Sequence, residues 1–281
     1  MNKKTTALIL SALTLGAISL QAQTAAPAAA AATAPAAAVP APAPAAPTAS
    51  WTFTPSFASQ YMFRGVRLGG AGFEPSLEYD YDVLALGVWS NFPFDSKIVP
   101  GQSNPEFDFY GSYKFDVVKD TLNLQPGFTF YTYPRAKKTD GFYKGTFEPN
   151  LAANYTVGAL TLTPKVYYDF VNKGPTLEFN AAYAVPLKDA GTEVDLAAQV
   201  GTYKWNSSAP DQPADLKAWG NYWLIGATMP FQIVKDTQKL SIGLAYTKGS
   251  DNFLKLGSTP KVANGGALAR GVVTVSYAIT F

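Results

Sequence analysis

The 281-residue chain contains no cysteine and no histidine. Without cysteine there is no disulfide framework, no thiolate metal site and no thiol for lipid attachment. Without histidine the commonest general base and metal ligand is gone. Outer-membrane phospholipases, proteases and lipid A deacylases that rely on an active-site histidine are excluded on inventory. No spacing selects a carboxylate pair for hydrolysis, and there is no phosphate loop, nucleotide fingerprint or metal-ligand cluster. The reading is therefore of a non-enzyme without cofactor or metal. Charged residues make up only 15% of the chain. Yet no apolar run is long enough for a membrane helix: residues 7–20 supply about fourteen of the roughly 20 that a bilayer requires.

What the chain has instead is aromatics, 16 Tyr and 18 Phe among 281 residues, placed in alternation. The last stretch is the cleanest. Val273, Val275, Tyr277, Ile279 and Phe281 share one parity, and Thr274, Ser276, Ala278 and Thr280 the other. Period two with β-branched and aromatic residues predicts a strand with one greasy face. The opposite face is small and hydroxylic, which suits a wet interior. A free apolar edge strand invites aggregation, whereas a closed barrel gives it a partner on each side. This stretch resembles the C-terminal assembly signal of Gram-negative outer-membrane barrels.

At the other end, Asn2-Lys3-Lys4 followed by the apolar run of residues 7–20 predicts an export signal peptide, residues 1–22, cut after Ala22 or near Ala26. Its removal takes Lys3 and Lys4 away, which brings the 22 Lys and Arg level with the 20 Asp and Glu. Net charge then gives no reason to expect a nucleic-acid partner. Residues 23–50 are Ala/Pro low-complexity sequence. Recurrent proline blocks the helix that alanine favours, which predicts an extended periplasmic spacer.

From Trp51 the alternation continues through residues 51–281. Trp51, Phe53, Phe57, Tyr61 and Phe63 share a parity against Ser56, Gln60 and Arg64. Phe107, Phe109, Tyr113 and Phe115 oppose Glu106, Asp108, Ser112 and Lys114, and the pattern recurs along the chain with a less clean run near residues 222–229. The count is about twelve strands. Links alternate between short (82–83, 118–120, 158–159, 188–192) and long (93–104, 134–144, 206–218, 248–269), with 231–239 intermediate and 172–174 a short exception. This rhythm predicts an all-β fold, a transmembrane antiparallel up-and-down β-barrel with its short turns facing the periplasm. Val118-Lys119-Asp120-Thr121 recurs as Val234-Lys235-Asp236-Thr237, consistent with repeated hairpins. Tyr79, Tyr81, Tyr113, Phe115, Tyr168 and Phe170 fall near strand ends, where interfacial girdles lie. A soluble sandwich also alternates, but it explains neither the aromatic load nor the loop rhythm. Pro75, Pro126, Pro149 and Pro164 interrupt the apolar parity and predict bulges or strand starts.

Ser59-Gln60-Tyr61-Met62-Phe63-Arg64-Gly65 resembles the S-x-Y-x-x-R-G opening of the TorF-family porins. The likeness continues in family order through Leu86-Gly87-Val88-Trp89-Ser90-Asn91, Glu106-Phe107-Asp108-Phe109-Tyr110-Gly111, Phe130-Tyr131-Thr132-Tyr133-Pro134, Leu177-Glu178 and Val200-Gly201-Thr202-Tyr203. The resemblance implies an outer-membrane barrel that conducts small solutes. The residues then suggest how. The inward parity carries Glu74, Glu78, Asp80, Glu106, Asp108, Asp116, Glu148, Asp169, Glu178 and Asp195 against Arg64, Lys114 and Lys165. Such a lining is most simply hydrated, and its acid excess favours cations or neutral polar solutes. Arg64 is the candidate for an ion pair that crosses and narrows the pore. The expected role is passive diffusion of small polar solutes or ions; the alternative is a closed structural or adhesion barrel that binds a partner through its loops. Expected partners are outer-membrane lipid, lipopolysaccharide, the barrel-assembly machinery and small solutes, and not nucleic acid. Arg135, Lys137, Lys138 and Lys144 form a basic loop patch, either for lipopolysaccharide phosphates or simply solvated.

Overall fold

Alternating apolar and polar residues with turn residues between them leave each segment one option, to pair with its neighbours in an antiparallel ladder. A computed structural model describes residues 49–94, 105–135, 144–206, 217–250 and 265–281. The expected signal peptide, most of the expected spacer, the centres of the four long links and Lys137 and Lys138 lie outside the described residues.

The first stave of the barrel is β1 (Ala49–Thr54) continued by β2 (Ser56–Ala58). A small hairpin, β3 (Tyr61–Phe63) and β4 (Val66–Gly69), follows it. The second stave is β5 (Gly72–Phe73) with β6 (Ser76–Tyr81), the third β7 (Leu84–Pro93), and the fourth β8 (Glu106–Tyr113) with β9 (Phe115–Val118). Then come β10 (Leu122–Thr132), β11 (Gly145–Val157), β12 (Leu160–Asp169) and β13 (Gly174–Leu187). The last are β14 (Thr192–Asn206), β15 (Lys217–Val234), β16 (Gln238–Gly249) and β17 (Arg270–Thr280). Each stave pairs with the next, and β17 returns to the first: Thr280 faces Thr52 and Val275 faces Phe57. Phe281 and Trp51 exchange backbone hydrogen bonds of 2.9 and 3.0 Å. The result is a closed antiparallel barrel of 12 strands.

The apolar parity faces outward. Phe109, Leu151, Val200 and Leu244 are exposed, as are Tyr81, Tyr113, Phe115, Tyr168 and Phe170 near strand ends. Val273, Val275 and Phe281 lie on the same outer surface, with Tyr277 and Ile279 half-covered. Most polar side chains of the staves face inward, the reverse of a soluble protein and the arrangement that lipid requires. Among the described residues no helix is long and apolar enough to cross a membrane.

The recurring Val-Lys-Asp-Thr sequence forms the same turn twice. Thr121 N–H donates to Val118 O at 3.0 Å and Thr237 N–H to Val234 O at 3.2 Å, with Asp120 and Asp236 at φ 60° and 64°. Aspartate tolerates this left-handed conformation better than most side chains. The link expected at 231–239 is accordingly much shorter, because β15 runs to Val234 and β16 starts at Gln238.

Two further expectations change. Tyr61 and Phe63 do not continue the outer face of the first strand; the strand ends at Ala58 and the chain turns into the barrel. The prolines cause less disruption than expected. Pro75 does sit in the break between β5 and β6, but Pro126, Pro149 and Pro164 stay in strand, paired with Leu151, Phe128 and Phe179. Each loses only one side of the ladder. Pro126 lies opposite the break between β8 and β9, Pro164 where the β11–β12 register lapses, and Pro149 just outside that register. A missing N–H costs little where no acceptor is waiting for it.

Candidate functional site: the hairpin inside the barrel

The hairpin exists because Arg64 and Gly65 both adopt positive φ, 47° and 74°. Two successive left-handed residues make the tight reversal typical of a two-residue hairpin turn. An added Cβ on Gly65 would lie 2.3 Å from the backbone carbonyl of Lys248, so only glycine lets the tip seat against the end of β16. The hairpin carries greasy side chains on both faces. Tyr61, Val66 and Leu68 pack with Trp89, Tyr110, Tyr203 and Tyr222, while Met62 packs with Leu224, Ala245 and Val272. Phe63 meets Tyr131 edge-on at 6.0 Å. The insert thus touches several sectors of the wall, and Tyr61 and Met62 keep only 1% of their surface exposed.

At the tip, Arg64 Nη2 donates to Glu148 Oε1 on β11 at 2.7 Å, and both side chains are buried. The guanidinium lies 4.7 Å from the Phe63 ring centroid and 5.3 Å from that of Tyr167, which adds cation–π attraction in a dry setting. Around this pair the carboxylates are held by tyrosines. Tyr131 donates to Glu148 at 2.9 Å, Tyr61 to Glu106 at 2.7 Å and Tyr110 to Glu78 at 3.0 Å. Tyr222 and Tyr167 both donate to Glu178, at 2.6 and 3.1 Å. Lys165 stands across the ladder from Glu178, its ammonium 4.8 Å from the Tyr167 ring centroid. A phenol satisfies a carboxylate without neutralising it, so the acid excess of the wall persists.

The sequence candidates therefore divide. Arg64, Glu74, Glu78, Glu106, Asp108, Glu148, Lys165 and Glu178 gather around the hairpin, and Asp108 is fully buried. Asp169 instead ties down a turn, accepting from Thr146 Oγ1, from the Val171 and Asn172 backbone N–H groups and from Asn172 Nδ2, each at 2.8 Å. Asp80 and Asp195 lie toward the short-turn end of the barrel, away from the hairpin. Lys114 and Asp116 sit where β8 gives way to β9, 4.0 Å apart; Asp116 is exposed, though it pairs with Asn123 on the inward parity. Parity reasoning passed over the tyrosines, although Tyr110, Tyr131 and Tyr167 share the parity of the acids beside them. Tyr222 and Leu224 also explain the uneven run at 222–229: they point inward against the hairpin.

The inner tyrosines need small neighbours. Tyr110 lies across Gly87 and Tyr222 across Gly201, each its direct cross-strand partner. A Cβ there would meet the ring at 2.3 and 2.1 Å. Glycine leaves a gap in the pleat that an aromatic ring covers.

The model of a family described as bacterial protein of unknown function (Gcw_chp) matches residues 44–257. The chain belongs to the Gcw_chp family. The matched span holds the hairpin and every carboxylate described above. No curated protein matches the sequence. Among solved structures, the NanC porin superposes with a TM-score of 0.51 at 9% identity, covering 82% of this chain and 98% of that one. The KdgM porin gives 0.49 at 11%, covering 83% and 99%. An outer membrane channel from Pseudomonas putida F1 gives 0.46 at 13%, covering 85% and 96%. The first of these likenesses shows a shared barrel fold. The family shown is Gcw_chp, where the motifs resembled the TorF-family porins.

Proposed function

We propose that this Gcw_chp protein is an outer-membrane channel for passive diffusion of small polar solutes or ions, that it favours cations, and that its bore is set by the β3–β4 hairpin. The observation that carries this reading is the hairpin held by the Arg64–Glu148 pair inside an acid-rich, closed barrel. A wall of carboxylates capped by neutral phenols attracts cations and repels anions. An insert attached through its two ends can narrow such a lumen without being part of the wall. The likeness in fold to the NanC porin and the resemblance to TorF-family porins support the same reading. So does the apolar outer surface, which fits export to the outer membrane and contact there with lipid and lipopolysaccharide. The β17 pattern fits recognition by the barrel-assembly machinery.

A second reading has its own observation. The hairpin packs so closely that Tyr61 and Met62 are almost fully covered, which suits a closed barrel that works through its long loops. Single-channel recording of the refolded mature chain in a planar bilayer, with reversal potential under a salt gradient, separates the two. The channel reading expects discrete steps and cation preference. It also expects the permeability ratio to fall when Glu74, Glu78, Glu106 and Asp108 are neutralised together. A heat-modifiable, folded barrel that conducts neither as wild type nor with residues 60–70 replaced by a short Gly/Ser link would overturn it.

A further inference from the structure

Three consecutive staves converge on the Arg64 guanidinium. Glu148 on β11 accepts from Arg64 Nη2 through Oε1 at 2.7 Å, while its Oε2 accepts from Tyr131 on β10 at 2.9 Å. The wall thus holds one carboxylate oxygen and presents the other to a cation. The Tyr167 ring on β12 has its centroid 5.3 Å from the guanidinium carbon. Glu148, Tyr131 and Tyr167 are all buried, and the Arg64 side chain itself marks the point where they meet. Lys165 also acts electrostatically on Glu148 and lies across the ladder from Glu178. With Arg64 withdrawn, those two carboxylates would outnumber the one ammonium.

The occupant is not part of the wall that binds it. β3 and β4 pair with each other and with no stave, so the tip can leave without breaking a rung of the barrel. An element held by side chains opens at lower free energy than the ladder around it. A buried ion pair adds little net stability over apolar side chains of the same volume, and Tyr61, Met62 and Val66 already seat the hairpin by apolar contact. What the pair adds is a group that can be exchanged. A guanidinium on a tether competes at an effective concentration of roughly millimolar order, so a free one displaces it at a similar level. A guanidinium also suits this pocket better than an ammonium, because it is more weakly hydrated and stacks on an aromatic face.

We propose that Glu148, Tyr131 and Tyr167 form a binding site for small alkylguanidinium solutes, and that Arg64 is its tethered occupant, an autoinhibitory contact that a free guanidinium displaces. The site does not depend on conduction. The test is calorimetric titration of the refolded mature chain in detergent with methylguanidinium chloride at fixed ionic strength, with tetramethylammonium chloride as comparison. Arg64→Ala vacates the pocket and should bind methylguanidinium saturably, about tenfold or more tighter than wild type and than it binds tetramethylammonium, which has no N–H. Arg64→Ala/Glu148→Gln should lose about tenfold or more of that binding. A second measurement keeps Arg64 and decides the question should Arg64→Ala not fold. The chain has no cysteine, so Met62→Cys places a single thiol on the hairpin, where the native residue is 1% exposed. Millimolar methylguanidinium should speed its labelling by a maleimide several-fold relative to tetramethylammonium. Heat-modifiable mobility shows which variants are folded. No saturable binding to folded Arg64→Ala, undiminished binding in the folded double variant, or Met62→Cys labelling unchanged by methylguanidinium would each overturn the assignment.

Discussion

Arg64→Ala tests what holds the hairpin in place. The guanidinium contributes nothing to the barrel ladder, so the 12 staves stay paired. What the change removes is the 2.7 Å bond to Glu148, whose side chain is 1% exposed. Removing one partner of a buried pair costs about 3–5 kcal/mol, because the other charge is left stranded. Tyr131 still donates to Glu148 at 2.9 Å, which places the loss at the lower end. At about 1.4 kcal/mol per decade, the ratio of seated to unseated hairpin falls by roughly a hundredfold or more. In planar-bilayer recordings this should appear as longer or more frequent openings, or a larger unitary conductance. The double variant Arg64→Ala/Glu148→Ala strands no charge and should depart less from wild type than Arg64→Ala alone. Recordings of Arg64→Ala indistinguishable from wild type, on a barrel that still shows heat-modifiable mobility, would refute the reasoning. So would a double variant whose effect equals the sum of the two single ones.

Other outcomes follow from the same geometry. Gly65→Val combines a positive φ with a clash against the Lys248 backbone, so it should unseat the tip more completely than Arg64→Ala in the same recordings. Gly201→Val should evict the Tyr222 ring and break its 2.6 Å bond to Glu178; a hydrogen bond to a charged group is worth about 1.5–3 kcal/mol, measurable as a lower denaturant midpoint in detergent. Asp120→Val should destabilise its turn by about 1–2 kcal/mol through the left-handed backbone, whereas Asp120→Gly should not, by the same unfolding measurement. Deleting Phe281 removes the reciprocal bonds to Trp51 and should raise the fraction of unassembled chain in an in vitro refolding assay.

The staves were legible in the sequence because strand periodicity is local. A residue's parity fixes its face whatever the neighbouring strand turns out to be, so Phe109 and Asp108 could be assigned to opposite sides without a fold. Short turns were legible for the same reason, since Asp120 and Asp236 meet their backbone requirement within four residues. The pairing of β17 with the first stave follows once twelve alternating segments must leave no edge. Parity also set Arg64 and the acids on one side, and the tyrosines beside them were there to be read. Alternation could not reveal that Tyr61 and Phe63 leave the wall, because a strand that turns inward keeps the same period for a few residues. That choice depends on Leu224, Ala245 and Val272 being across the lumen to receive Met62, and on Glu148 waiting 84 residues away for Arg64. Nor could it show that Asp169 serves a turn while Glu178 receives two tyrosines. Inside a barrel the partner of a side chain is fixed by closure, which joins residues far apart in the chain, and only the tertiary structure carries that information.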